Sequence, residues 1–335
     1  MLWYIIKRIL MIIPTMLGVT MLVLLFIMIV PGDPVRAMMG EQFFSEEEME
    51  AVRVELGLRD PFPIRYANYI AGILQGDFGT SYRTKRPVID EIMSRYPYSL
   101  MLVCISMGIA LCIGIPIGNY AATHQYSWKD NAAIFGSLFF VSMPNFWFAL
   151  MLIQLLAVNA GILPPSGIVR WTGWILPSLT GALGFAASIA RQTRSNMLEV
   201  IRQDYITTAR AKGQIERKVK YRHALKNAII PVIQVVGGIF GIAMGGSMIM
   251  EVVFSIPGLG SYTLAALQAR DYPVIQTSVL FMSMLFAVVL ILIDVIFAII
   301  DPRIRAQYSR KKRNTKEEGK YIDQNREKDE KIEVH

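Results

Sequence analysis

The chain has 335 residues, 53% of them hydrophobic, and a mean hydropathy of +0.41. That length allows two soluble domains, but several largely apolar runs of about 20 residues or more exclude them and indicate a polytopic membrane protein. The formal net charge of +8 lies in segments beside those runs, so it bears on membrane topology and does not imply nucleic acid.

The first apolar run is Ile9–Val30, preceded by Lys7 and Arg8. It exceeds a signal-peptide core and no small-x-small cleavage site follows it, so it reads as a retained helix. The connection 31–98 is long and carries eight basic and eleven acidic residues. Ser45 with Glu48 forms a capping box for a helix with Met49, Val52 and Leu56 on one face and Gly57 to stop it. Pro61 and Pro63 punctuate the segment, Ile64–Leu74 suits a second amphipathic helix, and Pro87 is placed to start a third. A small folded cap is expected, either a lid on the spans or a docking surface for an external partner.

Ser99–Ala121 is the second span. It holds both cysteines, Cys104 and Cys112, which a helix keeps roughly 12 Å apart, too far for a disulfide. Ala132–Val158 is the third, with a kink expected at Pro144-Asn145. Ile175–Ala190 is short and rich in small residues, entered through Trp171 and Trp174, and it runs straight into Arg191. Ile229–Phe254 is the fifth and Val274–Ile300 the sixth. In the fifth, Gly237, Gly241 and Gly245 recur every four residues and leave a face almost without side chains, suited to close packing within the chain or against a second subunit. Two carboxylates fall within spans. Glu251, near the outer end of the fifth, is expected to reach water. Asp294, deeper in the sixth, is expected to face protein, as a neutral acid or paired with a base of segment 191–228 or of a neighbouring subunit.

Six spans place both termini on one side of the membrane. The termini and short loops of that side carry 24 Lys/Arg against 2 in the short loops opposite, so both termini are expected in the cytoplasm. The mixed-charge residues 306–335 read as a disordered cytoplasmic tail. No G-x-x-x-x-G-K-[ST] occurs, His124, His223 and His335 are scattered, and no Ser-His-Asp or Cys-His set can be assembled by position. Neither catalysis nor a cofactor or metal is therefore expected, and two intramembrane carboxylates are fewer than ion-coupled carriers usually need.

Segment 191–228 is the long polar passage between the fourth and fifth spans, with ten Lys/Arg against Glu199, Asp204 and Glu216. Alanines at 209, 211 and 224 favour helix, and Gly213 marks a turn between two short helices. Ile206, Ala209 and Ala211 are small or apolar enough to let another protein approach. Thr207-Thr208-Ala209, Gly213 and Ala228-Ile229-Ile230-Pro231 resemble the cytoplasmic signature loop of ABC-importer permeases. Thr207 replaces the usual Glu, and the spacing from Gly213 to Ala228 is longer than in the general motif. Both departures are similar to the dipeptide/oligopeptide branch of that family. The resemblance extends from Met1 to about Arg305 through Pro31-Gly32-Asp33-Pro34, Gly76-Asp77-Phe78-Gly79-Thr80-Ser81, Pro144-Asn145-Phe146-Trp147 and Leu163-Pro164-Pro165-Ser166-Gly167. It continues through Phe254-Ser255-Ile256-Pro257-Gly258-Leu259-Gly260, Arg270-Asp271-Tyr272-Pro273 and Asp301-Pro302-Arg303-Ile304-Arg305.

The resemblance implies an all-α, six-span fold of the type I ABC-importer permease, embedded in lipid of a bacterial or archaeal plasma membrane. It implies the first permease subunit of a set containing a second, homologous permease, two ABC ATPases and an extracytoplasmic solute-binding protein. The divisions expected are 1–30 (first span), 31–98 (cap), 99–305 (permease core, with coupling loop 191–228) and 306–335 (tail). Thr207, Ala209, Ala211, Lys212, Gly213, Glu216 and Arg217 would form the ATPase-coupling element, and Gly237, Gly241, Gly245, Pro144 and Asn145 would serve helix packing or the path. Di- or oligopeptides are the expected solutes. Nickel chelates or glutathione are the alternatives within the family, and an ion-coupled secondary carrier is the alternative outside it.

Overall fold

The computed structural model describes residues 2–29, 32–39 and 45–300; the tail from 306 lies outside them. In chain order the helices are α1 (Leu2–Ile29), α2 (Pro34–Met39), α3 (Glu46–Glu55), α4 (Phe62–Leu74), α5 (Val88–Thr123), α6 (Trp128–Ser142) and α7 (Asn145–Leu152). Then come α8 (Ile175–Ile201), α9 (Asp204–Ala211), α10 (Glu216–Lys218), α11 (Leu225–Val253), α12 (Leu259–Ala269) and α13 (Tyr272–Ile300). Among the described residues the only β pairing is an isolated bridge between Thr80 and Pro87.

Among the described residues five stretches are long and apolar enough to cross a membrane, Arg8–Ile29, Val88–Thr123, Trp171–Ile201, Glu216–Val253 and Tyr272–Ile296, and there are six if the bent pair Trp128–Ser142 and Asn145–Asn159 is one span. The expected third span is not one kinked helix. Trp128–Ser142 and Asn145–Asn159 meet at 99°. Pro144 forces Met143 out of the helical region, to φ −77° and ψ 131°, and so ends α6; Pro144 itself then starts α7. The fourth span is not short either: α8 continues eleven residues past Ala190, through Arg191 to Ile201.

The core is a three-helix seam. α5 and α8 run parallel, so close that a β-carbon at Gly114 would lie 2.6 Å from the Ala186 carbonyl oxygen. Only glycine lets the two backbones meet there. α11 runs antiparallel to both, and Val232, Phe240 and Met244 fill the gap beside Met107, Ala186 and Ile189. Asn196 Nδ2 donates to the Ala228 carbonyl at 3.3 Å at one end of α11. At the other end, Ser99 Oγ donates to Glu251 at 2.7 Å. These contacts set residues 191–228 and the cap at opposite ends of the bundle.

The cap begins as the sequence predicts. Ser45 and Glu48 make the full capping box of α3, and Gly57 follows its end at φ +63°. No residue of α3 or α4 is fully buried, so charge contributes to the cap's internal order. Arg53 bridges Asp33 and Glu50, the latter at 2.8 Å, and Arg59 Nε meets Glu50 at 2.6 Å. The two guanidinium groups hold the Glu50 carboxyl down to about 2, so this network stays ionised at neutral pH. Tyr66 Oη donates to the Leu17 carbonyl at 2.9 Å and fastens α4 to α1. The third cap helix does not exist separately. Pro87 caps α5 itself, which runs unbroken through residues 88–98 into the second span.

Candidate functional site

Segment 191–228 folds as one compact corner. α8 leaves the bundle at Ile201, α9 crosses its end, and the chain turns at Gly213 to enter α11 through α10 and a π-helical turn, Val219–Ala224. The second short helix expected here is thus the base of α11. The corner has its own core of Met197, Ile206, Val219, Ala224, Ala228 and Ala122. Ile206 is fully buried in it, which corrects its placement on an approach surface: it is the apolar anchor of α9. Ala209 is half-buried on the same core, while Thr207, Ala211, Lys212, Gly213, Glu216 and Arg217 are exposed.

Polar contacts hold the turn. Gly213 has φ +71°, its N–H donates to the Arg210 carbonyl at 2.9 Å, and Gln214 N donates to the Ala209 carbonyl at 3.3 Å. Arg210 Nε reaches Glu216 Oε1 at 2.8 Å across the turn, and Asn227 Nδ2 reaches Tyr205 Oη at 2.8 Å. A β-carbon at Gly213 would meet nothing within 4 Å, so conformation alone demands glycine there. Beside the corner, Arg194 on α8 makes a two-point pair with the buried Asp130 of α6, at 2.5 and 2.7 Å. Side chains 64 residues apart thereby fix α6 to α8.

The glycine stripe splits. A β-carbon at Gly237 would lie 3.0 Å from Ile293 Cδ1, and one at Gly241 would overlap the Phe286 ring, so both glycines serve packing on α13. Gly245 meets nothing within 4 Å. Pro144 and Asn145 sit exposed at the α6–α7 bend, Asn145 near Gly184 of α8. Asp294 pairs with Arg8 of the first span at 2.6 Å, and not with a base of segment 191–228.

At the opposite end, two buried carboxylates organise the chain. Glu251 is 0% exposed instead of wet. Its Oε1 accepts from Ser99 Oγ at 2.7 Å and Ser247 Oγ at 3.1 Å, and its Oε2 from the backbone N–H of Ser261 at 2.7 Å. Ser99 Oγ in turn accepts from Leu259 N at 2.7 Å. The carboxylate thus binds α5, α11 and the start of α12, and a β-carbon at Gly258 would overlap it. Asp271 does the same for the loop before α5, accepting from Ser81 Oγ at 2.6 Å, Tyr82 N at 3.0 Å and Arg83 N at 3.2 Å. The sequence reading missed both roles. The available signal lay in glycines seven and nine residues after Glu251, and in two short motifs that each combine an acid with Gly or Pro.

Two family models match: residues 114–306 fit the binding-protein-dependent transport system inner membrane component, and residues 1–103 fit the N-terminal part of such a component. The chain belongs to the family of binding-protein-dependent transport system inner membrane components. It is the permease subunit of an ABC importer, a multi-pass inner-membrane protein that works with an ATPase and a binding protein. The permease is 42% identical over 305 residues to the glutathione transport system permease protein GsiC of Salmonella choleraesuis (strain SC-B67) and to that of Escherichia coli (strain K12). In both cases the match covers 91% of this chain and 99% of the relative. Its fold is shared with a chain of the inward-facing MetNI methionine ABC transporter, at TM-score 0.55 and 18% identity, covering 64% of this chain and 98% of that one. A second crystal form of that transporter gives TM-score 0.53 at 19% identity. Family membership sets aside the ion-coupled carrier.

Proposed function

We propose that this permease forms half of a path for di- or oligopeptides, paired with a second, homologous permease, with one of two ATPases docked on α9 and its turn. The observation that carries this reading is the corner itself: an exposed short helix whose one apolar anchor, Ile206, is buried at the junction of α8 and α11. A push on Thr207, Ala211, Lys212, Gly213 and Arg217 therefore reaches two spans directly. The permease supplies the two-state path and the ATPases the free energy, so ATP must favour one arrangement by differential binding. With the basic corner in the cytoplasm, both termini are cytoplasmic and the cap faces outward, where the solute-binding protein arrives. The relatives named as glutathione permeases favour a second reading, in which the solute is glutathione, itself a small peptide.

The complex reconstituted in liposomes with its ATPases and loaded solute-binding protein tests this. Peptide uptake should require ATP, resist ionophores and be absent from the permease alone, which should hydrolyse no ATP. Deleting residues 45–58 should leave the ATPases bound but weaken stimulation by the loaded binding protein. ATP-independent uptake, or hydrolysis by the clean single subunit, would sink the reading; unchanged stimulation in the deletion reduces the cap to a lid.

A further inference from the structure

At the cap end, the loop 81–84, the first turns of α5 and the helix α12 enclose a cleft of about 350 Å³. That volume lies within the range of small-molecule sites. Its charged and aromatic lining comes from Arg83, Glu91, Arg95, Asp271 and Tyr262, and Asp271 is already committed to the 81–83 loop. The charges are poorly spent within the chain. Glu91 is 8% exposed, and its one ion pair among the described residues is a long contact to Arg95 Nη2 at 3.4 Å. Arg95 lies 4.5 Å over the Tyr262 ring, and its Nε is buried without a hydrogen-bond partner among the described residues, while Tyr262 Oη is turned to the Glu91 carboxylate. Arg83 is held by its backbone N–H on Asp271, and its exposed guanidinium has no partner among the described residues. Buried polar atoms are nearly always satisfied, so unspent donors in an open cleft mark a place for a ligand.

The walls are fixed independently of any ligand. Asp271 accepts from three groups of the 81–83 loop, and Glu251 accepts from Ser261 N at the start of α12. The two buried carboxylates thus position the cleft on rigid supports, as a preorganised site requires. Burial, reinforced by the Glu91 carboxylate, raises the Tyr262 phenol above its ordinary pKa, which keeps it a neutral donor.

We propose that this cleft is a receiving site for a small zwitterionic peptide, its ammonium at Glu91 and its carboxylate at Arg83. The two signs of charge select this class. A purely anionic solute meets Glu91, a cationic chelate meets Arg83, and only a molecule with both charges uses both ends. The proposal rests on the peptide-importer reading above and gives the permease a recognition step of its own after the binding protein.

Saturation-transfer NMR on the full importer complex in nanodiscs, without solute-binding protein, tests it with triglycine, which has no side chains, and with N-acetyl-triglycine amide, which has no terminal charges. Triglycine should receive saturation and the blocked peptide should not. Arg83→Ala, a change at an exposed residue, and Glu91→Gln should each weaken triglycine binding about tenfold, the size of one charged contact of about 1.4 kcal/mol. Equal signals from the two peptides, or unchanged binding in both variants, overturn the site. The same nanodiscs report on the underlying reading separately. ATP hydrolysis stimulated by peptide-loaded binding protein, with no triglycine signal, retains the importer and removes the site; absence of that stimulation removes the peptide reading itself.

Discussion

Glu251→Ala should yield a permease that inserts into the membrane but does not hold its outer end together. The carboxylate accepts three hydrogen bonds in a fully buried position. Removing it strands the Ser99 hydroxyl and the Ser261 N–H and leaves a cavity beside Gly258. At about 1–3 kcal/mol for each buried group left unsatisfied, the loss is about 3–5 kcal/mol. That corresponds to a fall of about 10 °C in apparent melting midpoint, read by fluorescence-detected size exclusion of the detergent-solubilised complex. Glu251→Gln should fall between, because an amide offers one acceptor oxygen where both carboxylate oxygens are in use. Gly258→Ala should reproduce much of the loss from the other side of the contact. An alanine variant that melts with the wild type would show that Glu251 does not clamp α5, α11 and α12.

Gly213→Val should abolish uptake while leaving insertion intact. The residue sits at φ +71°, where a β-branched side chain costs roughly 1–2 kcal/mol, and no atom of this chain stands within 4 Å of the added β-carbon. Most of the bundle is untouched, so the damage is confined to the shape of the α9 turn. Ala209→Asp would be an ambiguous probe, because Ala209 is half-buried on the corner's own core, whereas Ala211 is exposed. Ala211→Asp should therefore lower ATP-driven uptake at least tenfold with the subunit still in the membrane. Full uptake in both Gly213→Val and Ala211→Asp would leave segment 191–228 with only a topological role.

The spans, the Ser45–Glu48 box and the Gly213 turn were legible in the sequence because each is local. Hydropathy, a cap spacing and a helix breaker act over a few residues, and the structure places the Ser45–Glu48 box, the Gly213 turn and the first, second, fifth and sixth spans as read. What was not legible depends on partners distant in the chain. Glu251 reads as a wet terminal carboxylate until Ser99, 152 residues earlier, is seen to donate to it. Asp294 finds Arg8 of the first span, and Asp130 finds Arg194. The length of α8 was hidden for the same reason: Arg191, Arg194 and Asn196 look like a loop, but Arg194 and Asn196 spend their polar ends on Asp130 and the Ala228 carbonyl, so helix can continue beneath them. The break at Pro144 was visible as a site but not as a 99° corner, since proline ends a helix without fixing where the next one goes.

The central claim is that an ATPase engages the permease at α9. It is tested most directly by placing p-benzoyl-phenylalanine at position 211 and irradiating the assembled complex in membranes, with the same residue at 169 as the comparison. Val169 is 101% exposed, in the connection at the cap end of the bundle. The account predicts a permease–ATPase adduct from position 211 and none from position 169. Adducts from position 169, or none from position 211 in a complex that still hydrolyses ATP, would contradict it.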